Sequence, residues 1–304
     1  MKVFVWLLLC VIWGTTWIFI KIGLDDLPPI TFASARFVLA VAILLPIIYF
    51  QRLPWPNSIT EWRLIALTGI LQFSVNYSTV FWAEQYITSG LAAVLQAMIT
   101  VFGLGLAWIF LPNERITKQK IAAVLIGIAG VAVIFYDQLR VESILAFAGS
   151  VAIVAGSFAA AQASILVKAK GGGIHPASLL TGQMLCGLPI LLTYVFIAEG
   201  GPLVHNWSAR AVFSVLYLTI AGTIAAFWLY YWLLARIEST KAMMISLVTP
   251  LIAVLVGNIF LGETMPPHTI FGGVLILTAI ALIVLRKRVS PIVLNEEAGE
   301  KKVA

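Results

Sequence analysis

Arg36 is the residue whose chemistry least suits its surroundings, because it lies inside the apolar run 29–50. Counted from Pro29 at ~1.5 Å per helical residue, it falls on the order of 10 Å into a bilayer. At that depth a charge is costly and turns toward the protein interior or a wet cavity. A guanidinium there suits one of two tasks. It can anchor the carboxylate of a small molecule, or it can bond an acidic partner or free helix-end carbonyls as part of the fold. Uncharged polar residues lie equally deep: Thr15 and Thr16, Gln72 and Asn76, Gln96, Ser157 and Gln162, and Ser246. An amide in hydrocarbon needs a partner or water, so these residues either line a cavity or bond between helices, the latter worth on the order of 1 kcal/mol per contact. Gln72 and Asn76 are one helical turn apart and share a face with Thr79, the face expected to line a pore. Trp13 and Trp17 also share a face, and Trp228 lies at similar depth in the second half. Their rings suit the apolar wall of a pocket or plain helix packing. The candidate substrate-binding set is therefore Trp13, Thr16, Trp17, Arg36, Gln72, Asn76, Gln96, Gln162, Trp228 and Ser246.

Other chemistries lack their residues. No HExxH, P-loop or nucleotide-binding glycine motif is present, and Cys10 and Cys186 stand apart inside apolar runs, so neither a catalytic set nor a metal site is expected. His175, His205 and His268 fall in loops, and Asp25, Asp26, Glu84, Glu114, Glu199 and Glu263 at run ends or in loops. A proton-coupled carrier usually keeps a carboxylate or histidine within the membrane. A downhill mechanism is the expectation.

The elements that must position these residues are apolar runs at 3–24, 29–50, 63–82, 88–111, 120–136, 144–168, 176–198, 211–234, 242–261 and 269–285. A hydrocarbon core needs roughly 20 apolar helical residues to cross. With 61% hydrophobic and 11% charged residues among 304, too little polar surface remains for a soluble domain. Helices alone satisfy the backbone in so many crossings, so the expected fold class is an all-α membrane protein of ten transmembrane helices, with the lipid bilayer as its main partner.

The two halves repeat one another. Ser89 and Ala92 align with Ser239 and Ala242, Ile109-Phe110-Leu111 with Ile259-Phe260-Leu261, Pro29 with Pro176, and Arg36 with Gln183. Gly69 and Tyr77 align with Gly222 and Tyr230, and Gly14-Thr15 with Gly156-Ser157. Five runs per half, an odd number, require the halves to be inverted in the membrane. Inverted repeats characterise carriers that alternate access around a midplane site.

Trp13-Gly14-Thr15-Thr16-Trp17 followed by Lys21, Arg36 in the second run, and the paired segments ending at Glu114 and Glu263 resemble the drug/metabolite transporter superfamily, in particular its EamA-type members with two five-helix repeats. Pro250 matches a proline of that family, whereas Thr100 departs from it in the fourth run. The resemblance covers residues 3–285. It implies repeat units at 1–136 and 144–285, a cytoplasmic and disordered basic tail at 286–304, and a bacterial inner-membrane carrier. Such a protein moves small metabolites by alternating access or facilitated diffusion, often outward and often amino acids or related compounds. It implies a small-molecule substrate, no cofactor, and a monomer or weak homodimer. A drug or lipid-precursor translocator of the same superfamily is the alternative, which the clustered amides disfavour. An intramembrane enzyme would need a nucleophile or metal set.

Fifteen of the 19 Lys and Arg residues fall on one side of the membrane when the N-terminus is placed inside, against Lys21, Arg140 and Arg210 on the other. The positive-inside rule then puts both termini in the cytoplasm. The same bias explains most of the net charge of +6, so no nucleic-acid partner is expected. Cysteines introduced at Asp137 and Gln119 should therefore label from opposite sides with a membrane-impermeant reagent, Asp137 from outside. Labelling of both from one side would remove the inverted repeat along with the topology.

Overall fold

The computed structural model describes residues 1–87, 89–114, 116–139, 142–205, 207–261 and 266–284. Arg115, Glu263 and the basic tail lie outside them. The described residues form helices and no strand: α1 (Lys2–Leu24), α2 (Pro29–Phe50), α3 (Ile59–Gly69), α4 (Tyr77–Ala83), α5 (Ser89–Gln96), α6 (Met98–Phe110), α7 (Lys118–Ile134), α8 (Ile144–Lys170), α9 (Pro176–Ala198), α10 (Ala209–Thr219), α11 (Ala226–Leu234), α12 (Ser239–Met243), α13 (Ile245–Leu261) and α14 (Pro267–Val284). Prolines at the first turn open α2 and α9 in both halves, where the missing N–H costs nothing. A capping box of Ser58 and Glu61 starts α3, and Ser143 and Ser208 cap α8 and α10.

Eight continuous helical stretches are long and apolar enough to cross a membrane. The expected fifth and tenth runs form the shorter helices α7, of 17 residues, and α14. Lys118 and Lys120 occupy the first turn of α7, which shortens its apolar part. These two helices pack against each other through backbone contact. A Cβ on Gly272 would come 2.5 Å from the Gly130 carbonyl, and one on Gly130 2.8 Å from that of Gly272.

Packing pairs elements across the halves. α1 lies on α13 as α8 lies on α6, α2 lies on α9, and α7 lies on α14. The sequence repeat is thus also a repeat of contacts. Carboxylates cap helices across the same divide. Glu199 accepts from the N–H groups of Ile30 (3.0 Å) and Thr31 (2.6 Å) at the start of α2. Glu114 accepts from the Ser239 N–H (2.9 Å) and hydroxyl (2.6 Å) at the start of α12.

In an exposed helix Gly→Ala is favourable by up to ~1 kcal/mol, but at Gly272 the added methyl meets backbone that cannot rotate away. Gly272→Ala should lower the thermal midpoint in detergent, by an overpacking cost of ~1–3 kcal/mol. Gly172, with open space around it, is the control whose Ala variant should keep the midpoint.

Candidate functional site

The central cavity lies where the halves meet. Its volume is about 150 Å³, comparable to cavities that admit a benzene ring. The lining comes from α1 (Trp13, Thr16, Trp17, Ile20), α2 (Arg36), the α3–α4 stretch (Gln72, Asn76, Tyr77, Val80, Phe81), α5 and α6 (Gln96, Ile99), α8 (Ala160, Ser164), α11 (Phe227, Tyr230) and α12 and α13 (Ala242, Met243, Ile245, Ser246, Thr249). Eight of the ten residues singled out from the sequence are brought together here. Gln162 and Trp228 are not. Trp228 stands edge-on to the His175 ring at 5.7 Å, and Gln162 on α8 is half-buried off the lining.

The helices that build the cavity are irregular at matching places. A π-helical segment at Ile70–Asn76 joins α3 to α4, and another at Ile220–Ala225 joins α10 to α11. α5 breaks from α6 at Ala97, and α12 from α13 at Met244. π segments and broken helices expose backbone carbonyls and recur at functional sites. Here the Gly222 carbonyl accepts from Trp13 Nε1 (3.2 Å) and, at 3.5 Å, from Arg36 Nη2. The Met243 carbonyl accepts from Thr100 Oγ1 (3.2 Å) and Ser246 Oγ (2.9 Å), and those two hydroxyls lie 2.9 Å apart. The fourth-run Thr100 therefore acts as a bridge to α12 and α13.

Arg36 is 1% exposed. Its Nε (3.1 Å) and Nη2 (2.7 Å) donate to Thr223 Oγ1 in the π segment, whose own hydroxyl donates to the Leu218 carbonyl (2.9 Å) near the end of α10. The guanidinium carbon lies 5.1 Å from the Phe37 ring centre and 5.0 Å from that of Tyr77, within cation–π range. Every partner is neutral. No carboxylate pairs with Arg36 among the described residues.

The amides divide by bonding. Gln96 Nε2 donates to Asn76 Oδ1 (3.0 Å), and Gln96 Oε1 accepts from Ser157 Oγ (3.1 Å), so Gln96 ties α5 to the α3–α4 stretch and to α8. Gln72 lines the cavity, and among the described residues no hydrogen bond engages its amide; the same holds for Asn76 Nδ2. Aromatic rings close the other wall. Trp13 packs edge-on to Phe227 at 5.4 Å and tilts against Tyr230 at 5.3 Å, whose hydroxyl donates to Ser164 (3.2 Å).

Tyr77, Tyr230, Ser164, Met243 and Thr249 were not anticipated as lining. Tyr77 and Tyr230 carry a sequence signal in their alignment with each other and in the density of aromatics they share with Trp13, Trp17 and Trp228. Glu84 also differs from its reading as a plain end residue. Its Oε1 is shut away without a partner among the described residues, and burial pushes its carboxyl up to about 8.

A model of the EamA-like transporter family matches residues 1–136 and 147–285. An uncharacterized transporter of Archaeoglobus fulgidus is 31% identical over 283 residues, covering 91% of this chain and 95% of that protein. A protein of Salmonella typhimurium named "Probable amino-acid metabolite efflux pump" is 27% identical over 300 residues, with 94% and 95% covered. One crystal structure superposes with a TM-score of 0.78 at 16% identity, over 93% of this chain and 96% of the other, a likeness of fold.

Gln96→Ala should strand Asn76 Oδ1, leave the Ser157 hydroxyl only its bond to the Leu95 carbonyl (3.2 Å), and lower stability in detergent by about 1–3 kcal/mol. Gln72→Ala removes no bond and should stay within about 0.5 kcal/mol of the parent. Thermal scans without ligand check both, and equal losses would mean that Gln72 also holds helices together.

Proposed function

The chain belongs to the EamA-like transporter family, and on that premise we propose that it carries a small amphipathic metabolite across the bacterial inner membrane through the cavity between its repeats. Members of this family are membrane transporters, and the chain is one of them rather than an enzyme. The observation that carries the proposal is the cavity lining. Aromatic walls from α1 and α11 face two amides with spare hydrogen-bonding capacity, Gln72 and Asn76. Mostly apolar walls with a few orienting polar groups suit a small ligand. Amino acids and related compounds are the first candidates, by size and by the name of the Salmonella relative.

In this reading α7 and α14 complete ten spans, since they pack as repeat counterparts. Both termini face the cytoplasm, in keeping with the charge bias, and transport runs outward by alternating access. Downhill movement suits a cavity whose lining includes no carboxylate or histidine. Glu84 lies one turn beyond the lining residue Val80, toward the end of the bundle away from most of the basic residues.

Counterflow with purified protein in liposomes, against amino acids, nucleosides and cationic dyes, tests the proposal. Saturable exchange of an amphipathic metabolite is expected, equal with and without an uncoupler. Exchange of dyes alone would favour the drug-translocator alternative, and no saturable exchange would sink the carrier reading. Accumulation driven by an imposed pH step and lost in Glu84→Gln would replace downhill movement with proton coupling. Asn76→Ala should raise the half-saturation concentration roughly tenfold, from ~1–3 kcal/mol for an unpaired orienting group.

A further inference from the structure

The repeat supplies an internal control for Arg36. Its counterpart Gln183 on α9 occupies the equivalent place, and its amide donates to Thr68 Oγ1 (2.8 Å) and accepts from the Tyr231 hydroxyl (2.7 Å). Arg36 on α2 makes the same kind of clasp, donating to Thr223 in the second half and resting on Tyr77. Each clasp joins the second helix of one half to a threonine on the third span of the other. The neutral glutamine performs this structural task with both ends of its amide bonded, 0% exposed and away from the cavity lining. A positive charge is thus not what the clasp requires. Yet the charged member of the pair is the one that lines the cavity.

Among the described residues, Arg36 is also the one charged side chain in that lining. A lone guanidinium held among neutral partners in a low-dielectric site bears an unneutralised charge, which is costly there. A ligand carrying one negative charge removes that cost. The forked guanidinium matches a carboxylate in shape and forms charge-assisted hydrogen bonds with it. An ammonium finds no carboxylate in the lining and meets Arg36 as a like charge, with only amide and hydroxyl oxygens or ring faces as partners.

From this we infer that the cavity selects monocarboxylates with an apolar or aromatic body and no free ammonium, such as 2-oxo, 2-hydroxy or N-acyl acids, over zwitterions, neutral amides and amines. The inference rests on the cavity being the substrate site and, among the amino acids and related compounds proposed for it, favours the deaminated and N-acylated relatives over the amino acids themselves. A single fixed charge also disfavours dianions, which would leave one negative charge uncompensated.

Binding by purified protein, read from quenching of tryptophan fluorescence, tests the selectivity without requiring transport. Four ligands share a phenylpropyl body: 3-phenylpropionate, 3-phenylpropionamide, phenylalanine and 3-phenylpropylamine. The carboxylate should bind at least roughly tenfold more tightly than the amide, the scale of one charge-assisted hydrogen bond, with phenylalanine between them and the amine weakest. Arg36→Gln, which installs the residue the counterpart clasp already uses, should abolish the preference for carboxylate over amide. Equal binding of carboxylate and amide by the wild-type protein, binding of none of the four, or retention of the preference in a folded Arg36→Gln protein would overturn the assignment. Should that variant not fold, the wild-type series still decides. Carboxylate-selective binding without counterflow of the same ligand would refute the carrier reading and leave the monocarboxylate site standing.

Discussion

A polar group inside a bilayer has no water to fall back on, so its partner must come from the protein itself. In this chain the deepest polar groups find those partners in the other half. Arg36 reaches Thr223, Gln183 reaches Thr68, Thr100 reaches Ser246, and Ser74 donates to the Gly187 carbonyl at 2.8 Å. Neither half satisfies these groups alone. The two repeats are therefore interlocked, and the surface along which they interlock is where the cavity sits.

That surface also carries the irregular backbone. A regular helix hides its carbonyls in its own ladder, leaving side chains from a neighbour only the helix ends to bond. The π segments and the breaks at Ala97 and Met244 free carbonyls in mid-span, and those of Gly222 and Met243 are used at once by Trp13, Arg36, Thr100 and Ser246. Glycine permits the approach. A Cβ on Gly222 would come 2.9 Å from a Thr16 methyl and 3.7 Å from Arg36 Nη2, and one on Gly103 would collide with the Met243 side chain. The position of the cavity's one charge thus depends on a carbonyl released by a helix defect and on a glycine that leaves room for it.

The coarse plan was legible because hydrophobic length and repeat spacing act over many residues at once. Of the deep polar residues, Thr16, Arg36, Gln72, Asn76, Gln96 and Ser246 line the cavity. Depth could not separate one helix face from another across four or five turns, which is why Gln162 and Trp228 fell away from it. Nor could it tell a bonded amide from a free one: Gln96 and Gln72 read alike, and only the positions of Asn76 and Ser157 distinguish them. The π segments had no composition signal beyond Gly69 and Gly222. The shortness of α7 matches the 17-residue run 120–136, with Lys118 and Lys120 in the first turn of the 17-residue helix.

The two ends of the bundle are held by different chemistry. At the end richer in basic residues, the turn before α12 is gripped from several helices: Lys168 Nζ donates to the carbonyls of Leu234 (2.7 Å) and Ile237 (2.8 Å), Lys120 pairs with Glu238 at 3.4 Å, and Trp6 Nε1 donates to the Lys241 carbonyl at 2.8 Å. The repeat register sets Asp26 in the place of Lys168, and Asp26 is taken instead by Ser208 and by both ends of the Arg210 fork, at 2.7 and 2.8 Å, which hold its carboxyl down at about 2. Among the described residues the matching turn after α4 keeps only a local bond, Gln85 Nε2 to the Trp82 carbonyl, beside the partnerless Glu84 oxygen. An inverted-repeat carrier changes access by letting each half adopt the other's conformation. Contacts common to both halves exist in either state and favour neither. A ligand or contact shifts such an equilibrium only through its difference between the states, so the grip of Lys168 and Lys120 on the turn before α12, set against the Asp26–Arg210 pair that holds the repeat counterpart of Lys168, is where a preference for closure at the basic end would reside.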